Sequence, residues 1–406
     1  MCIDVSVIIP SYNRYPLNLL TLHSLENQTF DLSKMEVILI DDASTDETPL
    51  LQEYSAPYHF HYIRNQENLG RSITRNIGIK AASGKILIFL DAEVIVDSQF
   101  IYNHVQRHLS NEPLVIIPGN INLTYSWLLP NFSDNQLKNF YSLAQKTPLV
   151  KNRVSEEIGL EKCKWENFLP MIRKLNRPIQ LLFKQDISSF SNIMLSSKPK
   201  KFQQDIFNMF DDSFRLPWIS CTTLNHSVTK KLVESVGGFD ESFKGYGLED
   251  YEYGYRLYKS GVKFTYDPNI NVYHQEHPSA SILNEIEATK NLIIFQQKHP
   301  SIDVYLFSLR KIGIKDYKDL DIILAEYEAI SQNYPDRFEH IKKAIQAMLK
   351  QIPLLKVEGK PITDLLKNSG VELDDNFKSR LLFERNELDS YGFENATKLF
   401  DLLFNL

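Results

Sequence analysis

The sequence predicts an α/β fold in which a mostly parallel central sheet is flanked by helices. Three short apolar runs rich in β-branched residues predict strands at 5–10, 36–40 and 85–90. Helical patterns separate these runs, and the alternation of strand and helix is typical of βαβ units. Polar residues follow each predicted strand, and ligands of parallel sheets bind beyond the carboxyl ends of the strands.

The N-terminal elements follow one another in a regular order. The first strand, VSVIIP, precedes the polar segment SYNR and a predicted helix over 18–28, and the second strand precedes DDAST. A helix is predicted over 71–82, because apolar residues recur there at helical spacing and Gly84 follows as a stop signal. The third strand precedes DAE. We therefore expect SYNR, DDAST and DAE to converge at one edge of the sheet.

The pattern changes after residue 125. Residues 126–212 are rich in aromatic and charged residues and predict a mainly helical insertion. Residues 213–300 return to α/β character, whereas 301–406 predict a helical C-terminal region. The stretches FEHIKKAIQAMLKQI and ATKLFDLLFNL in that region read as amphipathic helices.

Composition excludes several classes of protein. The formal charge is −6 and the 45 basic residues are scattered, so we expect no nucleic-acid partner. The three cysteines lack the CxxC spacing of a zinc or redox site, which favours a reducing compartment and a cytoplasmic location. No GxGxxG follows the first strand and no GxxxxGK[ST] occurs, which disfavours a dinucleotide-binding fold and a P-loop NTPase.

Membrane signals are weak in this sequence. The start, MCIDVSVIIP, has an acid and no basic residue before its short apolar stretch, so we expect a first strand rather than a signal peptide. No uncharged apolar run approaches the roughly 18 residues of a membrane span. A peripheral membrane contact and a homo-oligomer both stay open.

The segment ILIFLDAEVIV places Asp91 and Glu93 at the end of a buried strand. A carboxylate beside an apolar core loses hydration unless water, a hydrogen-bond donor or a cation offsets that loss. From the residues alone, the pair is either two solvated acids that cap a turn or the ligands of a divalent cation.

Four segments near the N-terminus carry a resemblance to a known family: VSVIIPSYNR, VILIDDASTDET, NLGRSITRNIGI and GKILIFLDAEVIV. In this order they resemble the nucleotide-sugar-binding half of family 2 glycosyltransferases of the GT-A fold. The segment VGGFDESFKGYGLEDYEYGYRLYKSG resembles the acceptor-side half of chondroitin-polymerase-like and polypeptide N-acetylgalactosaminyltransferase-like enzymes. Together these segments cover about half of the chain.

The resemblance implies a metal-dependent, inverting hexosyl- or N-acetylhexosaminyltransferase. Its donor is a nucleotide sugar, with UDP favoured, and its acceptor is a hydroxyl of a glycan, a lipid-linked sugar or a peptide. Residues 1–125 then form the nucleotide-sugar-binding half, 126–212 the insertion, 213–300 the acceptor or catalytic half, and 301–406 the helical C-terminal region.

The resemblance also implies a cation, Mn²⁺ or Mg²⁺, held by Asp91, Glu93 and His274. The family usually carries Asp-x-Asp where this chain has Asp-Ala-Glu, so that Glu93 is longer by one methylene. Its oxygens still suit a hard cation. His277 lies close enough in sequence to be an alternative ligand to His274.

For the donor, the resemblance implies that Pro10, Tyr12 and Asp42 contact the base and ribose. Tyr12 would lie against the nucleobase, and Asp42 would accept its imide N–H. The alternative is that polar residues of these loops make only local turn hydrogen bonds.

A second group of donor-binding residues consists of Asn68, Arg71 and Arg75, which lie at the start and in the first turns of a predicted helix. The resemblance implies that Asp91 also binds the nucleotide sugar. The two arginines are i,i+4 neighbours and could contact phosphate. They could also be solvated helix residues.

For the acceptor, the resemblance implies that Glu249 and Asp250 act at the attacking hydroxyl, with Asp250 as general base. The helical spacing that follows places this pair in the first turn of a helix, after Gly245 and Gly247. Carboxylates are favoured in a first helical turn for electrostatic reasons as well, so the pair could be structural.

Two rival functions remain. A sugar nucleotidyltransferase should carry a glycine-rich basic loop after its first strand, where this chain has SYNRYP. A catalytically inactive nucleotide-sugar-binding scaffold should have lost its acids, and both carboxylate pairs are present.

The insertion and the helices after residue 300 are expected to govern the acceptor. Aromatic residues of the insertion either form a docking surface or pack a small core of their own, namely Trp165, Phe168, Phe183, Phe190 and Phe202.

Overall fold

The computed structural model describes residues 2–110, 112–158, 164–175, 177–189, 192–193, 197–199, 213–278, 281–371 and 374–406. The chain divides into two compact units. Unit 1 comprises Met1–Asn208, Trp218–Glu241 and Tyr253–Ala280, and unit 2 comprises Met209–Pro217, Ser242–Glu252 and Ser281–Leu406. The sequence-based boundaries at 125, 212 and 300 stay predictions.

Unit 1 is built on a mixed sheet. Its strands are β1 (Val5–Ser11), β2 (Met35–Asp41), β3 (His59–Arg64), β4 (Ile86–Leu90), β5 (Val94–Val96), β6 (Leu114–Thr124), β9 (Ser197–Pro199), β10 (Asn225–Thr229) and β11 (Lys263–Gln275). The order is β3-β2-β1-β4-β10-β6-β11-β5, and β9 pairs with β6. A separate two-stranded sheet consists of β7 (Trp127–Leu128) and β8 (Ile179–Gln180).

In the described part of the chain, four pairs of neighbouring strands in this sheet are parallel. β1 pairs in parallel with β2 and β4, β2 pairs with β3, and β6 pairs in parallel with β11. β10 enters antiparallel between β4 and β6. The residues of β2 and β4 are buried throughout, which explains their continuous apolar runs. The predicted α/β fold is confirmed, as are the three predicted strands, which are β1, β2 and β4.

Helices flank the sheet of unit 1. They are α1 (Leu17–Leu25), α2 (Arg71–Ala81), α3 (Phe100–His108) and α8 (Lys230–Val236), and the insertion adds α4 (Asp134–Lys146), α5 (Pro148–Ile158), α6 (Trp165–Lys174) and α7 (Lys184–Ser189). Helix α9 (Glu249–Lys259) contains residues of both units.

Gly78 sets the distance between α2 and the sheet. A Cβ atom at this position would lie 2.5 Å from Ile8 Cγ2 and 2.9 Å from Ile40 Cδ1. The helix therefore packs directly on β1 and β2 and holds the residues of its first turns near the ends of those strands.

The described part of the insertion forms its own core. Twelve buried residues make one cluster, which contains Phe132, Phe140 and Phe168. Trp165 packs against this cluster, whereas Phe183 is exposed and lies under the Arg153 guanidinium at 5.1 Å. Packing rather than docking therefore accounts for Trp165 and Phe168. Phe190 and Phe202 lie outside the described residues.

Unit 2 is helical after residue 281, as predicted. Its helices are α10 (Ser281–Lys298), α11 (Ile302–Tyr305), α12 (Tyr317–Asn333), α13 (Glu339–Val357), α14 (Leu365–Asn368), α15 (Asp375–Ser390) and α16 (Glu394–Phe404). The two amphipathic stretches named from the sequence are α13 and α16. Within the described residues, every helix is too short or too polar to cross a membrane.

Three buried histidines lie together in unit 1, on α3 and β10. His104 contacts Ser227 Oγ at 2.8 Å and Asn225 Oδ1 at 3.1 Å, and His108 Nε2 contacts the same Ser227 Oγ at 2.9 Å. Burial lowers the pKa of His104 to about 3, and the pKa values of His108 and His226 to about 4. All three side chains are therefore neutral in the folded protein at neutral pH.

We expect the free energy of unfolding to fall when the pH drops from 7 to 5. These histidines bind protons in the unfolded chain below its pKa near 6.5, whereas the folded state stays neutral until pH 3 to 4, so stability is lost as pH falls. Between pH 7 and pH 5, each histidine lowers the free energy of unfolding by about 2 kcal/mol. Urea unfolding followed by tryptophan fluorescence reports on unit 1, because Trp127, Trp165 and Trp218 all belong to it.

The matched variant for this prediction is His108→Gln, whose amide can contact Ser227 as the ring does. The variant should lose less stability between pH 7 and pH 5 than the native chain. Equal losses in both proteins would show that His108 does not contribute to the pH dependence.

Candidate active site

The acidic turn Asp91–Glu93 connects two distant positions of the sheet. It follows β4 in the centre and precedes β5 at the edge. The Asp91 N–H donates to the Leu224 carbonyl at 3.1 Å, and the Gln275 N–H donates to the Glu93 carbonyl at 2.9 Å. The Thr21 hydroxyl donates to the Ala92 carbonyl at 2.8 Å. The turn is thus held on all three residues.

Glu93 is the centre of the cluster that we call the Glu93 group, which consists of Glu93, His274 and His277. β11 pairs with β5 so that His274 lies opposite Val94, next to Glu93. Glu93 Oε1 lies 3.1 Å from His277 Nε2 and 4.0 Å from His274 Nε2. One ligand atom from each of the three residues lies within 4.8 Å of the others.

The ring orientation of His277 is informative. Its Nδ1 lies 2.8 Å from the Pro278 carbonyl oxygen, which can only accept, so Nδ1 carries a proton. Nε2 then faces the Glu93 carboxylate. A neutral ring would direct a lone pair at a negative oxygen there, so either a proton or a cation must lie on this side. The donor set of one carboxylate and two imidazoles fits a divalent cation.

Arg14 is the fourth residue at this site. Its Nε lies 3.0 Å from Glu93 Oε2, on the oxygen that does not face the histidines. Burial alone would raise the pKa of Glu93, but Arg14 and His277 outweigh burial and lower that pKa well below its usual range. Glu93 is therefore ionised, as a metal ligand must be.

Asp91 faces a different partner. Its Oδ1 lies 3.8 Å from Arg75 NH2, and the Glu93 group does not include it. Loss of hydration and the Glu93 carboxylate raise the pKa of Asp91, although Arg75 and Arg71 oppose the shift. The structure therefore separates the two acids that the sequence paired, because one side chain turns towards α2 and the other towards β11. A metal-ligand role for Asp91 stays a prediction.

Arg75 is buried, with 2% of its surface exposed. Its NH2 donates to Thr223 Oγ1 at 2.5 Å, and its guanidinium lies 5.3 Å from the centre of the Phe239 ring. It is not a solvated helix arginine. A buried guanidinium beside Asp91 supplies positive charge at the carboxyl end of β4.

Asp42 is bound by its own loop. Its carboxylate accepts hydrogen bonds from the Leu69 and Gly70 N–H groups, both at 2.9 Å, and from Asn65 Nδ2 at 2.7 Å. Asp42 thus fixes the start of α2, as the turn alternative supposed. A contact with the nucleobase stays a prediction.

The other predicted donor residues lie at the ends of the same elements. Pro10 belongs to β1 and Tyr12 follows that strand, with 44% of its side chain exposed. Asn68 Nδ2 reaches the Asp42 carbonyl at 3.4 Å, and Arg71 is the first residue of α2. These placements agree with the predicted convergence of the segments that follow β1, β2 and β4.

Glu249 and Asp250 occupy the first turn of α9, as predicted, and lie in unit 2. Glu249 is buried and Asp250 is half-buried. The Tyr251 N–H donates to Asp250 Oδ1 at 2.9 Å, and the Tyr251 hydroxyl lies 3.2 Å from the Tyr317 hydroxyl.

Sequence reasoning missed Arg14 and did not choose His277. Arg14 stands in SYNR directly after β1, where a basic residue among polar ones was a usable signal. His277 follows the end of β11, and only the course of the chain after that strand decides where its ring lies. Thr223, the partner of Arg75, carries no signal in the sequence.

Comparison with known proteins gives two family matches. Residues 6–155 match glycosyl transferase family 2, and residues 206–278 match the N-terminal domain of galactosyltransferase. Residues 6–155 thus carry the similarity to glycosyl transferase family 2. The predicted resemblance and the enzyme class, a glycosyltransferase, are thereby confirmed.

Relatives with known names are also glycosyltransferases. The chain is 29% identical to the uncharacterized glycosyltransferase YfnE of Bacillus subtilis, over 74% of this chain and 72% of the relative. It is 28% identical to a validoxylamine A glucosyltransferase of Streptomyces hygroscopicus, over 75% and 63%. It is 25% identical to the hyaluronan synthase of Pasteurella multocida, over 86% of this chain and only 32% of that protein.

Two solved structures are similar at low identity. A fragment of S. aureus TarS in complex with UDP-GlcNAc gives a TM-score of 0.46 at 14% identity, covering 99% of this chain and 90% of that one. GalNAc-T7 with UDP, GalNAc and Mn²⁺ gives a TM-score of 0.46 at 16% identity, covering 89% and 59%.

Proposed function

We propose that this chain moves a hexosyl or N-acetylhexosaminyl group from a nucleotide sugar, with UDP favoured, to a hydroxyl of a glycan, a lipid-linked sugar or a peptide. The observation that carries the proposal is the Glu93 group with Arg14, at the ends of buried strands in a chain whose residues 6–155 match glycosyl transferase family 2. The names of two relatives, a glucosyltransferase and a hyaluronan synthase, support sugars of this class.

Glu93, His274 and His277 would hold a divalent cation, Mn²⁺ or Mg²⁺. Such a cation neutralises the charge that develops on a departing nucleoside diphosphate. Arg14 on the far oxygen of Glu93 keeps that carboxylate ionised whether or not a cation is bound. We propose that Asp91 faces the donor beside Arg75, whereas Glu93 supplies the carboxylate of the cation site.

The donor half of the proposal assigns the diphosphate to Arg71, Arg75 and Asn68, and the base and ribose to Pro10, Tyr12 and Asp42. Arg75 is held rigidly by Thr223 and Phe239, so little conformational entropy is lost when a phosphate binds. Asp42 links the two groups, because its carboxylate fixes the Leu69 and Gly70 amides that precede α2.

The acceptor half assigns the general base to Asp250, supported by Glu249. The acceptor oxygen forms a bond to the anomeric carbon as the bond from that carbon to the diphosphate breaks. The hydroxyl proton passes to Asp250, and the electron pair leaves with the diphosphate. One displacement inverts the anomeric carbon and needs no nucleophile from the protein.

The test of the donor assignment is thermal unfolding with a panel of UDP- and GDP-sugars, each with Mn²⁺ or Mg²⁺. We expect a UDP-sugar with Mn²⁺ to raise the melting temperature, whereas Mn²⁺ alone has little effect. A ligand at 100 times its Kd adds about 2.7 kcal/mol to the stability of the folded state. Hydrolysis of the donor without an acceptor should occur in the same combinations.

The control is the same panel in EDTA, in which the shift should shrink because the diphosphate loses its counter-charge. If no nucleotide sugar changes the melting temperature with either metal, the donor assignment fails. If only GDP-sugars act, the enzyme class survives and the preference for UDP is wrong. A cytoplasmic location stays a prediction from the cysteines.

A further inference from the structure

We infer that Asn291 of α10 is a positioning residue for the proposed general base Asp250. Asn291 positions Asp250 through residues 244–248. We call this segment the glycine loop, and it leads directly into α9. The inference rests on the proposed function for the role of Asp250, whereas the anchoring of the loop stands on its own contacts. All the residues involved belong to unit 2.

The glycine loop has an unusual backbone. Gly245, Gly247 and Leu248 have φ angles of 72°, 93° and 70°, so three of the four residues before Glu249 are left-handed. Glycine adopts this region freely, but for leucine it costs about 1 to 2 kcal/mol. Contacts outside the loop must hold Leu248 in place.

Asn291 supplies such contacts. Its side chain is buried, with 2% of its surface exposed, and its Nδ2 donates to the Gly247 carbonyl at 2.7 Å and to the Lys244 carbonyl at 3.0 Å. The Tyr246 carbonyl lies at 3.4 Å from the same nitrogen. One amide group thus gathers three carbonyl oxygens of a loop whose own side chains are exposed or half-buried.

The neighbouring turn of α10 also contacts the glycine loop. Glu287 lies four residues before Asn291 on the same helix face, and its Oε2 accepts the Tyr246 N–H at 2.8 Å. A Cβ atom on Gly245 would lie 2.5 Å from Glu287 Cδ, and one on Gly247 would lie 3.2 Å from Ala288 Cβ. The φ angles of the two glycines favour glycine, and the close approach of the loop to α10 leaves little room for a side chain at either position.

The loop conformation decides where Asp250 lies. The Leu248 carbonyl accepts the first hydrogen bond of α9, from the Glu252 N–H at 2.9 Å. A relaxed Leu248 would rotate this carbonyl and re-aim the first helical turn, which carries Asp250. A shift of about 1 Å in a catalytic group can cost roughly 100-fold in rate. Asn291 touches no reacting atom and acts only through this geometry.

The test is Asn291→Asp in the full chain. The carboxylate keeps the shape of the amide but turns acceptors towards three carbonyl oxygens. We expect kcat for transfer to fall roughly 10- to 100-fold, while the KM for the donor and the rate of donor hydrolysis stay within about two-fold. Hydrogen exchange of the amides of residues 245–248 should become faster. Lys290→Ala, an exposed residue on the same helix, is the matched control and should change neither readout.

Glu287→Ala is the second variant, for the case that Asn291→Asp does not fold, and it should show the same pattern to a smaller extent. Faster exchange of the loop with unchanged transfer overturns the positioning role. A parallel fall of transfer, hydrolysis and melting temperature also overturns it, because that is the pattern of general destabilisation. If the native chain transfers no sugar at all, the proposed function and the positioning role both fail, whereas the exchange rates still decide whether Asn291 anchors the loop.

Discussion

Replacing Asp250 by asparagine should lower kcat for sugar transfer by a factor on the order of 10² to 10⁴, the range that a general base contributes. The amide keeps the shape of the side chain and its contact with the Tyr251 N–H, which is 2.9 Å long in the native chain. It cannot take the proton of the acceptor hydroxyl. The affinity for UDP and the rate of donor hydrolysis, in which water rather than the acceptor hydroxyl attacks the anomeric carbon, should change far less than transfer.

The neighbouring residues make this a sharp comparison. Glu249 is buried and Asp250 half-buried, so Glu249→Gln is the matched variant one residue away. We expect Glu249→Gln to reduce transfer less than Asp250→Asn. Near-normal turnover of Asp250→Asn combined with loss in Glu249→Gln would move the base to Glu249.

Tyr251 is a poor alternative base. Burial, together with Tyr317 and Asp250, raises the pKa of Tyr251 well above its usual value, so that its hydroxyl stays protonated. A phenol that holds its proton can donate a hydrogen bond but cannot accept the acceptor proton. The carboxylates of this helical turn remain, and of these Glu252 is already paired with His299 Nε2 at 2.9 Å, which leaves Glu249 and Asp250.

The three strands that the sequence predicted have almost entirely buried side chains. β1, β2 and β4 are continuous apolar runs because helices or loops cover both faces of the sheet there. β3 was missed, because its sequence HFHYIR alternates between exposed and half-buried residues at the edge of the sheet. The antiparallel entry of β10 between β4 and β6 could not be predicted, since it depends on pairing partners more than 100 residues away in the chain.

The candidate site was likewise predictable from the sequence only in part. Residues that follow buried strands, such as Asp42 and Glu93, stood out because polar groups at those positions need partners. Which partner each one has could not be predicted. Asp42 binds backbone amides, Asp91 faces Arg75, and Glu93 faces two histidines and Arg14. Those choices depend on side-chain directions after a turn, and spacing in the sequence does not carry them.

Replacing Glu93 by glutamine should abolish the metal-dependent part of donor binding. The amide has the size of the carboxylate but lacks the charge that lies 3.1 Å from His277 and 3.0 Å from Arg14. We expect the affinity for Mn²⁺ in the presence of UDP to fall by at least on the order of 100-fold, because Glu93 is proposed as a ligand and the loss of a contact that only supports a ligand already costs roughly 10- to 100-fold. Titration calorimetry or electron paramagnetic resonance of Mn²⁺ measures this without any turnover.

Asp91→Asn is the matched variant, two residues away on the same turn. Because Asp91 faces Arg75 and lies outside the Glu93 group, its replacement should weaken Mn²⁺ binding less than Glu93→Gln does. Equal losses in the two variants would mean that Asp91 is a ligand of equal weight, as the sequence first suggested.

Glu93→Asp tests the extra methylene itself, since it restores the Asp-x-Asp pattern usual in the family. The shorter side chain withdraws the carboxylate by roughly 1.5 Å, away from His277 Nε2, which it approaches to 3.1 Å in the native chain. His277 is held by its Nδ1–H bond to the Pro278 carbonyl and cannot follow freely. We therefore expect Glu93→Asp to bind Mn²⁺ more weakly than the native chain. Tighter binding would show instead that the position of His277 adapts to the carboxylate, and that the length of Glu93 is incidental to the site.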